Sequence, residues 1–134
     1  MSSTAISCLR YRDAPAMIDW LGQAFGFEPR LIVDDGKGGI AHAQLTRGPG
    51  MVMLGSARDD AFGKLQGTPE ALGGTSQSVY LVVADPDALY ARAQAAGAEV
   101  VRPIVDEDYG GRGFSCRDPE GHLWNVGNYD PWAG

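Results

Sequence analysis

Apolar and polar residues alternate in short runs along most of this chain, broken by two stretches in which the apolar positions fall at helical spacing. Residues 5–11 alternate as a strand does. Asp13 then offers a helix N-cap, with Pro15 placed early in the helix, where a missing N–H costs nothing. Met17, Ile18, Leu21, Ala24 and Phe25 follow on one helical stripe, and Gly26 supplies the stop. Strand-like runs at 29–33, 40–45 and 51–54 come next, separated by Gly-rich turns at 34–39 and 47–50. Residues 56–77 are polar, rich in glycine and without clear period. They read as a long connection, able to act as a flap or to be disordered. The order then recurs: a strand at 78–83, a helix at 87–96 stopped by Gly97, a strand at 99–105 and a terminal hairpin.

That hairpin joins residues 112–116 to 122–127 through Asp118-Pro119-Glu120-Gly121. Proline presets φ at the second turn position, and glycine permits a positive φ at the fourth. If the strands close directly on these four residues, Cys116 faces Leu123, Phe114 faces Asn125 and Arg112 faces Gly127. Ser115, Trp124 and Val126 then share the opposite face. His122 opens the last strand beside the turn and is expected to meet solvent.

The recurrence extends to individual residues. At one constant offset Pro15 falls on Pro86, Ile18 on Leu89, Gln23 on Gln94, Gly26 on Gly97 and Glu28 on Glu99. At an offset one residue longer Gly38-Gly39 falls on Gly110-Gly111, Met53 on Asn125, Gly55 on Gly127 and Ile6 on Ser78. Chance matches in a chain rich in Gly and Ala are the alternative. A duplicated β-α-β-β-β unit accounts better for pattern and letters together.

The expected fold class is therefore α+β: two β-α-β-β-β repeats whose mixed sheets curl into a cup with the helices outside. It forms a single domain over 1–134, with repeat one at about 4–55, the connection at 56–77 and repeat two at about 78–128. On this arrangement Ala41, Ala43 and Leu45 pack under a helix while Ile40, His42 and Gln44 face the cup. Val52 and Leu54 turn outward, and Met51 and Met53 turn inward. Such a cup suits a small molecule, held by apolar walls and a few placed polar groups.

Composition narrows the function classes. The chain has 134 residues, 44% hydrophobic and 21% charged, which is ordinary for a globular domain long enough to bury a core. A net charge of −6 with scattered Lys and Arg argues against nucleic acid or anionic membrane as partner. Met1-Ser2-Ser3-Thr4 shows no secretory leader, and no run is apolar for long enough to span a bilayer. Cys8 and Cys116 are expected to be free thiols in a cytoplasmic protein.

The terminal DPEGHLWNVGNYDPW, together with YRDAPAMIDWLGQAFGFE near the start and the duplicated unit, resembles the vicinal oxygen chelate superfamily, and most closely its glyoxalase/bleomycin resistance protein group. The resemblance spans nearly the whole chain and implies the cup fold and a homodimer. In metal-dependent members four ligands project into the cup from the first and last strand of each unit. Carried over, these positions are Ile6, Met53, Ser78 and Asn125. Isoleucine has no donor, methionine prefers soft metals, and a serine hydroxyl or Asn carbonyl is weak and neutral. No cofactor is therefore expected; a divalent metal would require that other residues replace these usual ligand positions.

Candidate chemistry rests on two groups. His42 is the weak candidate for a catalytic base, with hydrogen-bonded packing as its plainer reading. Tyr109, Arg112 and Phe114 are expected near Asn125, bringing a guanidinium fork and rings toward the cup. Alternatively Arg112 pairs with Asp106, Glu107 or Asp108 and Phe114 is core. No nucleophile–base pair and no phosphate loop is visible. The ligand-contacting set is accordingly His42, Gln44, Met51, Met53, Ser78, Tyr80, Tyr109, Arg112, Phe114 and Asn125. The expected function is metal-independent binding of an aromatic or amphipathic small molecule; the alternative is a metal-dependent lyase, isomerase or dioxygenase of the same superfamily.

Overall fold

The computed structural model describes residues 4–133; the leader reading of Met1 to Ser3 falls outside the described residues. Among the described residues eight strands and two main helices form two successive units. The first runs β1 (Ser7–Tyr11), α1 (Ala14–Phe25), β2 (Glu28–Asp34), β3 (Ile40–Arg47), β4 (Gly50–Ser56). In the connection lie a 3-10 turn (Phe62–Lys64) and the single-turn α2 (Pro69–Leu72). The second unit runs β5 (Ser78–Val82), α3 (Pro86–Ala95), β6 (Glu99–Asp106), β7 (Arg112–Arg117), β8 (Leu123–Gly127), and a 3-10 turn follows at Pro131–Ala133.

Each unit makes an open four-stranded mixed sheet. The orders, β1-β4-β3-β2 and β5-β8-β7-β6, are the same, with the first strand parallel to the last and the other pairs antiparallel. The expected duplicated α+β architecture is thus present.

Both helices start where a side chain replaces the missing turn. Asp13 accepts from the Ala16 N–H at 3.2 Å, and Asp85 accepts from that of Ala88 at 3.1 Å. α1 ends at Gly26 in the left-handed region, φ 81°, where the Gly26 N–H donates to the Gly22 carbonyl and the Phe27 N–H to that of Leu21. Its buried stripe of Met17, Ile18, Leu21, Ala24 and Phe25 lies in one core with Ala43, Leu45, Val52, Leu54, Phe114, Cys116, Trp124 and Val126. The rings of Phe25 and Phe27 lie 5.0 and 5.9 Å from Trp124, so the first unit packs directly on the second.

The structure corrects four expectations. First, the terminal hairpin closes one residue later than expected. Asp118 N donates to His122 O and Gly121 N to Asp118 O, leaving a three-residue loop with Gly121 at φ 94°. Cys116 therefore pairs with Trp124, Ser115 with Asn125, Phe114 with Val126 and Gly113 with Gly127. A slip of one residue turns every side chain to the other face. Phe114 and Cys116 thus go to the core beside Trp124 and Val126, and Phe114 packs on the Tyr90 ring at 4.9 Å. Second, a register shift between Val33 and Asp34 sends Ile40 into the core and exposes Ala41. Third, His122 is half-buried; its Nε2 lies 2.8 Å from Arg10 O and its ring meets that of Tyr11 edge-on at 4.8 Å. Fourth, the connection is built rather than structureless. Thr68 caps α2, and Gln66 Nε2 donates to Cys8 O at 2.9 Å. Cys8 and Cys116 are both free, one exposed and one buried. No helix among the described residues is long and apolar enough to cross a membrane.

Candidate functional site

Opposite its helix each sheet presents one cross-strand row of side chains. In the first sheet the row is Leu31, Gln44, Met53 and Cys8, one from each strand. In the second it is Arg102, Ser115, Asn125 and Tyr80. Residues directly opposite one another share a face, so these rows define what the open sides offer a ligand.

A cavity of about 920 Å³ takes residues from both sheets. Its walls include Ile6, Gln44, Met51, Met53, Ser78, Tyr80, Val82 and Trp132. Five of the expected contact residues, Gln44, Met51, Met53, Ser78 and Tyr80, are therefore together. The wall is mainly apolar, and its thioether side chains adapt readily to ligand shape. Arg47 also lines it, but its Nε donates to the Phe25 carbonyl at 2.7 Å and so finishes α1.

A smaller cavity, about 170 Å³, lies on the second unit alone. It brings together Tyr80, Tyr109, Arg112, Phe114 and Asn125 from the expected set, with Arg102, Glu107 and Tyr129 that sequence reasoning missed. Arg112 does not offer a free fork here: Nε lies 3.0 Å from Asp87 Oδ2 and Nη1 3.2 Å from Asp106 Oδ1, and these partners raise its pKa. Arg102 faces the open side instead. Two register shifts flank it on β6, so simple alternation along 99–105 carries no signal for its direction. Tyr129 follows the last strand, where no period exists to orient it. A third cavity, about 270 Å³, sits at the seam between the units under the connection, beside Cys8, Gln66, Ser78 and His122.

His42 lines none of these three cavities. Its Nε2 lies 3.2 Å from Gln44 Nε2 on the same strand.

The four positions that the resemblance assigns to metal ligands are hydrogen-bonded among themselves or apolar. Asn125 Nδ2 donates to Ser78 Oγ at 2.9 Å, and Ser115 Oγ donates to Asn125 Oδ1 at 2.7 Å. The Asn125 amide is thus engaged at both ends by neutral hydroxyls. Ile6 and Met53 complete the set with a side chain that has no donor and a thioether. This donor set does not fit a hard or borderline divalent cation. Among the described residues no group of three or more His, Cys, Asp or Glu side chains is placed to hold a metal ion.

Comparison with known proteins agrees with this architecture. A model of the Glyoxalase/Bleomycin resistance protein/Dioxygenase superfamily matches residues 4–126. An uncharacterized protein of Mycobacterium bovis is 36% identical over 115 residues, covering 86% of this chain and 76% of that protein. The crystal structure of TioX from Micromonospora sp. ML1 superposes with a TM-score of 0.77 at 34% identity, over 96% of this chain and 100% of the other. The bleomycin-binding protein of Streptomyces verticillus, in complex with copper(II)-bleomycin, shares the fold with a TM-score of 0.66 at 22% identity, over 97% and 98% of the two chains. The chain belongs to the Glyoxalase/Bleomycin resistance protein/Dioxygenase superfamily.

Proposed function

We propose that this protein binds an aromatic or amphipathic small molecule in the 920 Å³ cavity between its sheets and releases it unchanged, with no resident metal. The observation that carries the reading is the chemistry at the positions where metal-dependent members hold ligands: Asn125 is hydrogen-bonded to Ser78 and to Ser115, while Ile6 and Met53 line the cavity with Ser78. This chain of neutral groups, of which Ser78 lines the cavity, holds a neutral amide by hydrogen bonds where a Lewis acid would otherwise sit. The methionines and Tyr80 supply the apolar contact. A fold neighbour that holds copper(II)-bleomycin supports a binding role of this kind.

The same reading includes a second copy of the chain. Strand β2 is an edge of its sheet and exposed along its whole length, with Leu31, Ile32 and Val33 each more than 40% accessible. Edge strands of this apolarity invite pairing. A homodimer in the cytoplasm, where the exposed Cys8 stays reduced, is the proposed state.

The test has two arms on protein prepared without chelator or immobilised nickel. Elemental analysis is expected to find far less than one metal per chain. A thermal-shift screen is expected to find aromatic compounds that raise the melting temperature and are recovered intact. Stoichiometric zinc, manganese, nickel or iron, or conversion of the bound compound, would overturn the reading. Light scattering after size exclusion checks the dimer.

A further inference from the structure

The 170 Å³ cavity of the second unit shares only Tyr80 with the larger one, and its construction calls for a ligand of a different kind. Its floor is bare because Gly113 and Gly127 face each other across β7 and β8. A methyl group at Gly113 would come within 2.6 Å of the Val126 carbonyl, and one at Gly127 within 3.0 Å of the Tyr80 hydroxyl, so neither position tolerates a side chain without movement. Tyrosines form the walls. Tyr80 is fixed by donating to Tyr129 O at 2.7 Å, and the Tyr109 and Tyr129 rings meet edge to face at 5.2 Å. Ring faces of this kind attract cations.

The charged group inside is Glu107. Its side chain is 11% exposed, and its loop is held by Glu107 N to Gly111 O at 2.9 Å and Gly110 N to Glu107 O at 3.1 Å. Oε1 lies out of contact with solvent and makes no aligned hydrogen bond, although Arg102 Nη2 stands 2.6 Å away as an ion-pair partner. Oε1 is therefore paired in charge but not in direction, with the Tyr109 side chain a further partner of the carboxylate, and a better-aligned N–H can take the place of Arg102. Arg102 is nearly half exposed and can turn to solvent once an incoming cation takes over the pairing of the buried Glu107. Arg112, the other cation at this cavity, is already neutralised by Asp87 and Asp106.

We infer that this cavity is a second binding site, taking the protonated amino group of an organic amine between the tyrosine rings and onto Glu107 Oε1. An organic carboxylate would have to displace Glu107 from Arg102 and then sit beside it, with like charges at close range. A wholly apolar group would leave the Arg102–Glu107 pair as it stands and gain nothing from the carboxylate. The net charge of −6 further enriches cations around the molecule.

The experiment titrates the full-length 15N-labelled chain with benzylamine, benzyl alcohol and benzoate at neutral pH and follows the amides of Gly113 and Gly127. Benzylamine is expected to shift both saturably, and the other two to leave them in place. Glu107→Gln is expected to weaken benzylamine by about ten-fold, the loss of one charge-assisted hydrogen bond. Arg102→Gln, which frees the carboxylate, is expected to hold or tighten it. Equal shifts from all three probes, a preference for benzoate, indifference to Glu107→Gln, or weakening by Arg102→Gln would each overturn the inference. So would no shift by tens of millimolar benzylamine. Met53→Trp, which fills the larger cavity, is expected to leave these shifts unchanged, so the two sites succeed or fail separately.

Discussion

The hydroxyl of Tyr11, on the first strand of the first unit, donates to Oδ2 of Asp118, in the terminal hairpin of the second, at 2.6 Å. Both side chains are buried, at 0% and 4% exposure. Asp118 is saturated: Oδ2 also accepts from Trp124 Nε1 at 3.0 Å, and Oδ1 accepts from the backbone N–H of Glu120 and of His122. Beside it the Glu120 carboxylate accepts the N–H of Arg12 and Asp13 at the start of α1. The DPEGH turn therefore fastens one unit to the other. Tyr11→Phe is expected to cost about 1.5–3 kcal/mol, the range for a hydrogen bond to a charged group. Asp118→Ala should cost more, because it strands four donors. Urea midpoints measure both, and a Tyr11→Phe protein as stable as the parent would contradict the assignment.

The two thiols should behave oppositely. Burial, and then the nearby Asp118 charge, pushes the Cys116 thiol up to about 12, while Cys8 is exposed. A thiolate-selective disulfide reagent at pH 8 is expected to modify one thiol per folded chain, and none in Cys8→Ser. Two fast-reacting thiols in the folded protein would show that the core around Cys116 opens.

The same burial sets the alkaline limit. The unfolded chain releases the Cys116 proton near 9, whereas the folded chain holds it to about 12. The proton is bound in both states below pH 9, so stability is intact there and falls as pH rises from 9 toward 12. Tyr11, raised first by burial and then by Asp118, adds to the decline in the same direction at higher pH. Denaturation curves from pH 8 to 11 check the slope, which should be shallower in Cys116→Ala.

The helices finish each other. Arg92 of α3 donates to the Gln23 and Gly22 carbonyls at the end of α1, at 2.6 and 2.8 Å, and Trp20 of α1 donates to the Ala96 carbonyl after α3 at 2.7 Å. Cations and donors at a helix C-terminus satisfy carbonyls that have no partner inside the helix. Arg92→Ala is expected to lower stability by about 1–2 kcal/mol. Arg92→Lys should recover only part of this, since an ammonium cannot span two carbonyls as a planar fork does. Thermal unfolding of the three proteins gives the ordering.

Much of this architecture was legible in the chain. The helix bounds followed from Asp13, Pro15 and Gly26, whose roles are local and need no tertiary partner. Burial of Ala43 and Leu45, with His42 and Gln44 opposite them, followed from a strict alternation under one helix. The hairpin register was not legible, because Asp118 uses its own backbone and side chain to close a three-residue loop in a stretch that also permits four. That single slip moved Phe114 to the core and Arg112 toward Asp87. Glu107 was visible only as a partner for Arg112; its pairing with Arg102 depends on two irregularities in β6 that no residue type announces.

The two sheets share no ladder among the described residues: side chains, not strands, carry the seam. The descent of such a molecule is shaped by this. A sheet running through both units would force any insertion in one to be answered in the other. Here each unit is free to drift so long as a few donors, Tyr11, Trp20 and Arg92 among them, keep their acceptors. The divergence between Met53 and Asn125, equivalent positions with unlike chemistry, is what that freedom permits: one half has become the oily wall and the other the polar one, and selectivity can evolve in either without disturbing its twin.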